Sequence, residues 1–305
     1  MFDIFKNRLE LTGTLKTVTA LRISQGRSTE PIGSDLPVVK DALGQPLIPG
    51  SSFKGAMRSR LESFMRGIDP SLAQDPSELV NTATNEAVKA LKETHKDDDL
   101  VLTQALDGIT DKVSKVFGTP WQASKFQVRD LTVRPDTWFG QYQERDGVSI
   151  DRDTETAVDG RLYDFQVVPA GVEFEFKAVF ENADTVQTDQ GEIGYWELGL
   201  VMIGLQQFKL QQIPLGGGCS RGLGVVQLEI DKLVWVDPEG DPAALLTYMQ
   251  RLSDDNLSHY ERDISHIEAL KEDWTSALVS YLTWTMGDLN LATNTTNTAN
   301  TAAEA

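Results

Sequence analysis

Residues 172–180 read VEFEFKAVF, and they alternate apolar and polar side chains almost without interruption. The apolar members fall at every second position, which is the period of a β-strand with one buried face. The segment therefore predicts a strand of a sheet that is covered on one side.

Comparable patterns flank this strand in both directions. Alternation predicts further strands over 9–23, 126–133 and 225–236, and apolar residues at helical spacing predict helices over 51–66 and 194–211. The chain order is then strand, helix, strand, strand, helix, strand, which is the order of the ferredoxin-like fold. The sequence thus predicts an α+β protein with a ferredoxin-like, RRM-like palm.

Several segments lie outside this frame. Residues 140–168 mix Gly, Asp, Arg and Thr with few large apolar groups, and we interpret them as a projecting β arm. The end of the chain, NLATNTTNTANTAAEA, is of low complexity. The predicted organisation is a palm over 1–67 and 116–236 that carries the arm at about 140–168, a helical insertion at 68–115, an acidic helical C-terminal region at 237–288 and a disordered tail at 289–305.

Charge is spread unevenly along the chain. The 46 acidic and 28 basic residues give a net charge of −18, which argues against unspecific binding of nucleic acid. Residues 1–67 nevertheless hold ten basic and six acidic groups, a net +4, whereas residues 237–305 hold three and twelve, a net −9. By charge alone, 1–67 is the only segment predicted to bind an anion.

Composition excludes several classes of protein. Cys219 is the single cysteine, which excludes a disulfide framework and a cysteine-based zinc site. No apolar run reaches the roughly 20 residues of a membrane span, and no targeting pattern is visible. His259 and His266 lie seven residues apart and are interpreted as surface residues. We therefore expect a cytoplasmic protein without a structural metal or a membrane partner.

Residues 48–58, IPGSSFKGAMR, have the composition of a helix start that binds phosphate. A Pro-Gly turn leads into the hydroxyl residues Ser51 and Ser52, and the free amides and dipole of a helix N-terminus favour an anion. Lys54 and Arg58 are four residues apart, so both charges lie on one face. The alternative is a plain serine cap with solvated basic side chains. The Walker A register is absent.

Residues 215–224, LGGGCSRGLG, form a second candidate site. Five glycines allow close approach of the backbone to another chain, and Ser220 and Arg221 lie among them. The dinucleotide register G-x-G-x-x-G fails because Arg221 occupies the position of the third glycine. The alternative is a tight connection between a helix and a strand.

Asp35 lies in the loop between the first strand and the helix start. A carboxylate near a bound phosphodiester could orient or deprotonate a 2′-hydroxyl, or hold Mg²⁺ through water. A turn aspartate that binds its own backbone is the alternative, and the residues alone favour it. Asp41 competes for the catalytic role, but it opens the turn signal DALG.

Together, these motifs resemble the RAMP-superfamily backbone subunits of type III CRISPR effector complexes. The resemblance runs from Leu21 to Gly224 and is carried by Asp35-Leu36-Pro37-Val38, the PGSSxKG helix start, the arm segment Ile150–Thr154 and the GGxxSRGxG loop. The insertion and the acidic C-terminal helices depart from the usual short subunit, which suggests a specialised, type III-D-like variant.

The resemblance implies an antiviral RNA-binding subunit whose arm is a thumb on the palm. Its implied partners are CRISPR RNA, target single-stranded RNA, other RAMP subunits and the large subunit of the complex. The residues implied to bind RNA are Arg22, Ser51, Ser52, Lys54, Arg58, Arg152, Gly217, Gly218, Ser220 and Arg221.

The resemblance also implies that Asp35 is catalytic in the cleavage of guide-paired target RNA. Mg²⁺ or another divalent ion, weakly bound, would assist, and the ends would be a 2′,3′-cyclic phosphate and a 5′-hydroxyl. A non-cleaving structural subunit of the same assembly is the alternative. A guide-processing ribonuclease is disfavoured, because such enzymes commonly use histidine and none lies in sequence near Asp35 or in the glycine-rich loop.

Overall fold

The computed structural model describes residues 4–27, 34–189 and 191–303 of the chain. The strands are β1 (Arg8–Thr17), β2 (Leu47–Ile48), β3 (Phe126–Val128), β4 (Leu131–Thr132), β5 (Gln143–Ile150), β6 (Ala157–Val167), β7 (Glu173–Glu181), β8 (Val186–Thr188), β9 (Gly191–Ile193), β10 (Val226–Val236) and β11 (Glu261–Arg262). The helices are α1 (Gly50–Ile68), α2 (Pro76–Leu79), α3 (Thr82–Thr94), α4 (Asp99–Gly108), α5 (Lys112–Phe117), α6 (Trp196–Lys209), α7 (Pro242–Ser253) and α8 (Ile264–Ala303).

The palm is built on an antiparallel sheet. Its spatial order is β10-β1-β7-β3, and the short β11 extends it at the β10 edge. On the central strand, Leu11 lies opposite Ala178 of β7 and Leu233 of β10. With α1 between β1 and β3 and α6 between β7 and β10, this is a β-α-β-β-α-β palm. The predicted α+β, ferredoxin-like fold is confirmed.

Helices α1 and α6 cover one face of this sheet. Phe53 of α1 stacks on Phe208 of α6 with 4.2 Å between ring centroids, and it contacts Phe176 of β7 at 5.1 Å. Gly204 of α6 faces Met57 of α1 so closely that a Cβ at this glycine would lie 2.3 Å from Met57 Cε. The two helices therefore pack as one layer, and the Met57 side chain fills the space beside Gly204.

The predicted arm is a hairpin of β5 and β6, called the thumb below. Glu144 opposes Gln166 and Asp146 opposes Asp164 in an antiparallel register. At its root the chain is fastened to the palm by reciprocal backbone hydrogen bonds of 2.8 Å between Leu21 and Val168. The root, rather than the tip, is therefore the part of the thumb that is held next to the end of β1.

The insertion forms the helices α2 to α5. The sequence predicts one helix near 100–116, but the structure divides it, because Asp111 caps α5 by accepting the Ser114 amide at 2.9 Å. Val113, Val116 and Phe117 of α5 are buried in the main core. The last turn of the insertion is therefore part of the palm.

The C-terminal region, which the sequence predicts to be helical, contains α7 and α8. Helix α8 packs on α6 at Gly199, where a Cβ would lie 2.1 Å from the carbonyl oxygen of Trp274. The sequence predicts a disordered tail over 289–305, whereas in the structure α8 continues to Ala303. The helix can continue because adding residues to an existing helix needs no new nucleation. Within the described residues, no helix is long and apolar enough to cross a membrane.

Candidate nucleic-acid interface

Asp35 lies at the root of the thumb. Its amide donates a hydrogen bond of 2.9 Å to Asp164 Oδ1, and the next carbonyl, that of Leu36, accepts one of 3.1 Å from the Gln166 amide. No hydrogen bond or ion pair among the described residues involves the half-buried Asp35 carboxylate. The side chain is thus free to act on a ligand.

Asp41 has the turn role that its sequence context indicates. Its Oδ1 accepts the amides of Leu43 and Gln45, each at 2.9 Å. This is the self-capping arrangement that the alternative interpretation assigned to Asp35. The two aspartates of this loop therefore differ: Asp41 stabilises a turn, and Asp35 presents an unpaired carboxylate.

The glycine-rich loop packs against the segment after β1. A Cβ at Gly216 would lie 2.1 Å from the carbonyl oxygen of Arg22, which also accepts the Gly217 amide at 2.8 Å. Positive φ angles of 75°, 80°, 81° and 83° occur at Gly216, Gly218, Gly222 and Gly224. Gly217 is exposed and has neither a close neighbour nor a positive φ. Its missing side chain leaves the backbone open to a ligand, whereas its neighbours need glycine for the fold.

Residues of the thumb root connect this loop to Arg22. The Arg221 guanidinium donates to the Tyr163 hydroxyl at 3.2 Å, and the Arg22 guanidinium lies 4.6 Å from the ring centroid of Phe165. Phe165 and Leu223 belong to a small apolar cluster, separate from the main core, against which Leu36 and Tyr163 also pack. The structure therefore brings Arg22, Asp35 and the glycine-rich loop together. Sequence patterns gave no indication of this contact, because Tyr163 and Arg221 lie 58 positions apart in the chain.

Three buried polar atoms near this junction have no partner within the described part of the chain. They are Arg22 Nε, Ser34 Oγ and Gln166 Oε1. Ser34 is only 4% exposed. Because buried polar groups are nearly always satisfied, a group of orphaned ones marks a place where water or a ligand completes the bonding.

The start of α1 differs from its predicted capping. The cap residue is Pro49, whose side chain makes no capping hydrogen bond, so neither Ser51 nor Ser52 is the cap. Instead, Asp130 Oδ1 accepts the Gly50 amide at 2.8 Å, which places a carboxylate at the positive end of the helix. The hydroxyls of Ser51 and Ser52 therefore have no role in capping α1.

Lys54 points from α1 toward the end of the insertion. Its ammonium donates to Ser124 Oγ at 2.6 Å and lies 6.0 Å from the ring centroid of Phe117. Loss of water by burial, and then the nearby Arg58 charge, lower the pKa of Lys54 to about 8. Its charge has no carboxylate partner among the described residues, so an anion would stabilise it.

Arg58 has intramolecular partners on every nitrogen of its guanidinium. It donates to Glu62 at 2.7 Å, to the Gly118 carbonyl at 3.0 Å and to Ser114 Oγ at 2.9 Å. These bonds tie α1 to α5 and the residue after it. Within the chain this guanidinium holds two helices together, and its phosphate-binding role stays a prediction.

Arg152 lies apart from the other predicted residues. It is exposed in the turn at the tip of the thumb. Strand β6 covers about 25 Å between Ala157, near the tip, and Phe165, at the root. Arg152 can therefore contact only a different part of any long ligand that also reaches Asp35. The described residues include no group of three or more His, Cys, Asp or Glu placed to hold a metal ion.

Comparison with known proteins places these features in a family. The model of the RAMP superfamily matches residues 14–227. The CRISPR system Cms endoribonuclease Csm3 of Enterococcus italicus is 27% identical over 243 residues, which cover 78% of this chain and 98% of that protein. The protein of the same name from Methanocaldococcus jannaschii is 26% identical over 239 residues, covering 75% and 82%. The family match includes the Asp35 loop, the start of α1, the thumb and all of the loop 216–224. The chain therefore belongs to the RAMP superfamily.

Proposed function

We propose that this chain is a CRISPR RNA-binding backbone subunit of a type III effector complex and that it cleaves target RNA paired with the guide. The observation that carries the proposal is the unpaired Asp35 carboxylate, which the thumb root holds beside Arg22 and the glycine-rich loop. The two relatives described above, from Enterococcus italicus and Methanocaldococcus jannaschii, are named endoribonucleases. This agrees with a free carboxylate at the thumb root.

The guide contacts two neighbouring parts of the palm. At the glycine-rich loop, the RNA-binding groups are the exposed backbone of Gly217 with Gly218 beside it, the Ser220 hydroxyl and the Arg221 guanidinium. They bind the sugar–phosphate chain, and Arg22 lies alongside. At the start of α1, the uncommitted hydroxyls of Ser51 and Ser52 and the charge of Lys54 bind phosphate. The exposed Arg152 contacts RNA at the thumb tip.

Asp35 acts on the target strand. Its carboxylate takes the proton of a target 2′-hydroxyl, whose oxygen attacks the adjacent phosphorus. The bond from phosphorus to the 5′-oxygen breaks, and this oxygen leaves with a proton from solvent. The products are a 2′,3′-cyclic phosphate and a 5′-hydroxyl. This in-line attack requires an unstacked nucleotide, which a protruding thumb at the same place can supply.

A divalent ion fits this site only as a weakly held group. One free carboxylate is a small ligand set, but Mg²⁺ is commonly bound by one or two carboxylates together with substrate phosphates and water. Asp35 would hold the ion with oxygens of the RNA, and the ion would neutralise charge that develops on the phosphate. The proposed partners are other RAMP subunits and the large subunit. The cytoplasmic location stays a prediction.

The test is cleavage of end-labelled target RNA by the assembled complex, with Asp35→Asn and Asp41→Asn as a matched pair. An asparagine at 35 loses the basic carboxylate, and we expect the cleavage rate at this subunit's position to fall by about 100-fold or more. An asparagine at 41 still accepts the Leu43 and Gln45 amides, so its rate should be unchanged. Wild-type cleavage by Asp35→Asn would contradict the proposal. So would an uncut position in the wild-type complex, which is the result expected of a purely structural subunit.

A further inference from the structure

Asp164 occupies an unfavourable place in the thumb. It lies opposite Asp146 in the hairpin register, and like charges directly opposite each other destabilise a pair of strands. Asp146 is exposed, whereas Asp164 is half-buried and accepts the amide of Asp35, which is 129 positions away in the chain. Repulsion between the carboxylates of Asp146 and Asp164 destabilises this pair of strands. The hydrogen bond that Asp164 accepts from the Asp35 amide offsets this repulsion.

The loop around Asp35 is attached to its surroundings at other points as well. The Leu36 carbonyl accepts the Gln166 amide at 3.1 Å, and the Pro37 carbonyl accepts the Gln25 amide at 3.0 Å. Neither bond involves Asp35 itself. Loss of the Asp164 carboxylate would thus leave the loop on the thumb and release only the backbone at Asp35.

We propose that Asp164 is a positioning residue, which fixes the Asp35 carboxylate relative to the thumb root. The inference rests on the proposed catalytic role of Asp35. A hydrogen bond to an ionised carboxylate is short and strong, and a catalytic group displaced by about 1 Å can lose about 100-fold in rate. Because Oδ1 of Asp164 is engaged by the amide, Asp164 acts through Asp35. The cleavage rate therefore depends on the position of the thumb, which is the element proposed to unstack the target nucleotide.

The first test measures single-turnover cleavage by the assembled complex. Asp164→Ala should lower the rate at this subunit's position by about 10- to 100-fold while the dissociation constant for target RNA stays unchanged. Asp164→Asn keeps an oxygen that accepts the Asp35 amide, so it should restore most of the rate. Asp146→Ala removes a carboxylate from the same rung of the hairpin without touching Asp35, and it should cleave like the wild type.

Two results of this test would overturn the proposal. Undiminished cleavage by Asp164→Ala would show that Asp35 needs no such anchor. Asp164→Asn as defective as Asp164→Ala would show that the charge of Asp164 matters, as for an ion ligand or an acid–base group, rather than its hydrogen bond.

The second test does not depend on cleavage. Hydrogen exchange of the peptide that contains Asp35 should be faster in Asp164→Ala than in the wild type, and near the wild-type rate in Asp164→Asn. Unchanged exchange in Asp164→Ala would refute the positioning role even if cleavage is slower than in the wild type. If the wild-type complex leaves the target uncut, the proposed function fails, while faster exchange still supports the anchor.

Discussion

Burial lowers the pKa of Lys54, which is unusual for a lysine that binds phosphate. Its pKa falls to about 8, first because burial removes water from the ammonium and second because Arg58 is nearby. The side chain is therefore charged below pH 8 and neutral above it. We expect the affinity of the purified subunit for guide RNA, measured by fluorescence anisotropy, to fall about tenfold between pH 7 and pH 9, the contribution of one charged hydrogen bond.

Lys54→Arg provides the control for this pH dependence. A guanidinium stays protonated throughout the range, so the affinity of the variant should be nearly constant from pH 7 to pH 9. An equal decline in both proteins would show that another group titrates and that Lys54 does not bind the guide.

Sequence spacing predicts the contacts of a residue only with neighbours that are close to it in the chain. It indicates that Lys54 and Arg58 share a helix face, and the influence of Arg58 on the Lys54 pKa agrees. It could not show that α5 packs on this face, because Ser114 lies 56 positions from Arg58. The same limit hides the bond between Asp35 and Asp164, whereas Asp41 was recognised as a turn residue from adjacent residues alone.

At the scale of elements, Arg58 joins α1 to the insertion through Ser114, and within α1 it pairs with Glu62, which is 3% exposed. Arg58→Met would leave the Glu62 carboxylate with Arg66 alone, at 3.5 Å. Since an incompletely paired buried charge is costly, the free energy of unfolding should fall by about 3 kcal/mol in chemical denaturation. The double variant Arg58→Met with Glu62→Met should recover much of this loss, because an apolar pair needs no counter-charge.

A different outcome would return Arg58 to its predicted RNA-binding role. That outcome is a single variant as stable as the wild type whose affinity for guide RNA has fallen. The predicted role would then hold in the complex, and the bonds to Ser114 and Gly118 would be dispensable for the fold.

Elements were predicted well where one face of a segment is buried along its whole length. β7 and α1 follow this pattern, with alternating burial on the strand and buried residues at Phe53, Met57 and Leu61 on the helix. The short hairpin of β8 and β9 and the edge strand β11 were missed, since segments of two or three residues show no periodicity. β1 ends at Thr17, before its predicted end at 23, because the next amides turn to the Val225 carbonyl.

On the scale of the whole molecule, 13 of the 28 Lys and Arg residues form an ion pair with an acid among the described residues. On the face of the sheet that α1 and α6 leave open, Arg8 pairs with Glu181, and Lys177 pairs with Glu175 at 2.7 Å. The insertion and residues 237–305 carry net charges of −5 and −9. The palm therefore offers a guide RNA a short cationic path rather than a broad basic surface.

This distribution predicts a weak dependence of guide binding on salt. Each phosphate that a cation neutralises on a single strand contributes about −0.7 to the slope of log K against log salt concentration. Arg22, Lys54 and Arg221 thus predict a slope of about −2 for the purified subunit, and Arg221→Gln should reduce it to about −1.4. Titrations of labelled guide RNA at several salt concentrations measure both values. A wild-type slope steeper than about −4 would mean that several further cations bind the guide, and the short path would then be wrong.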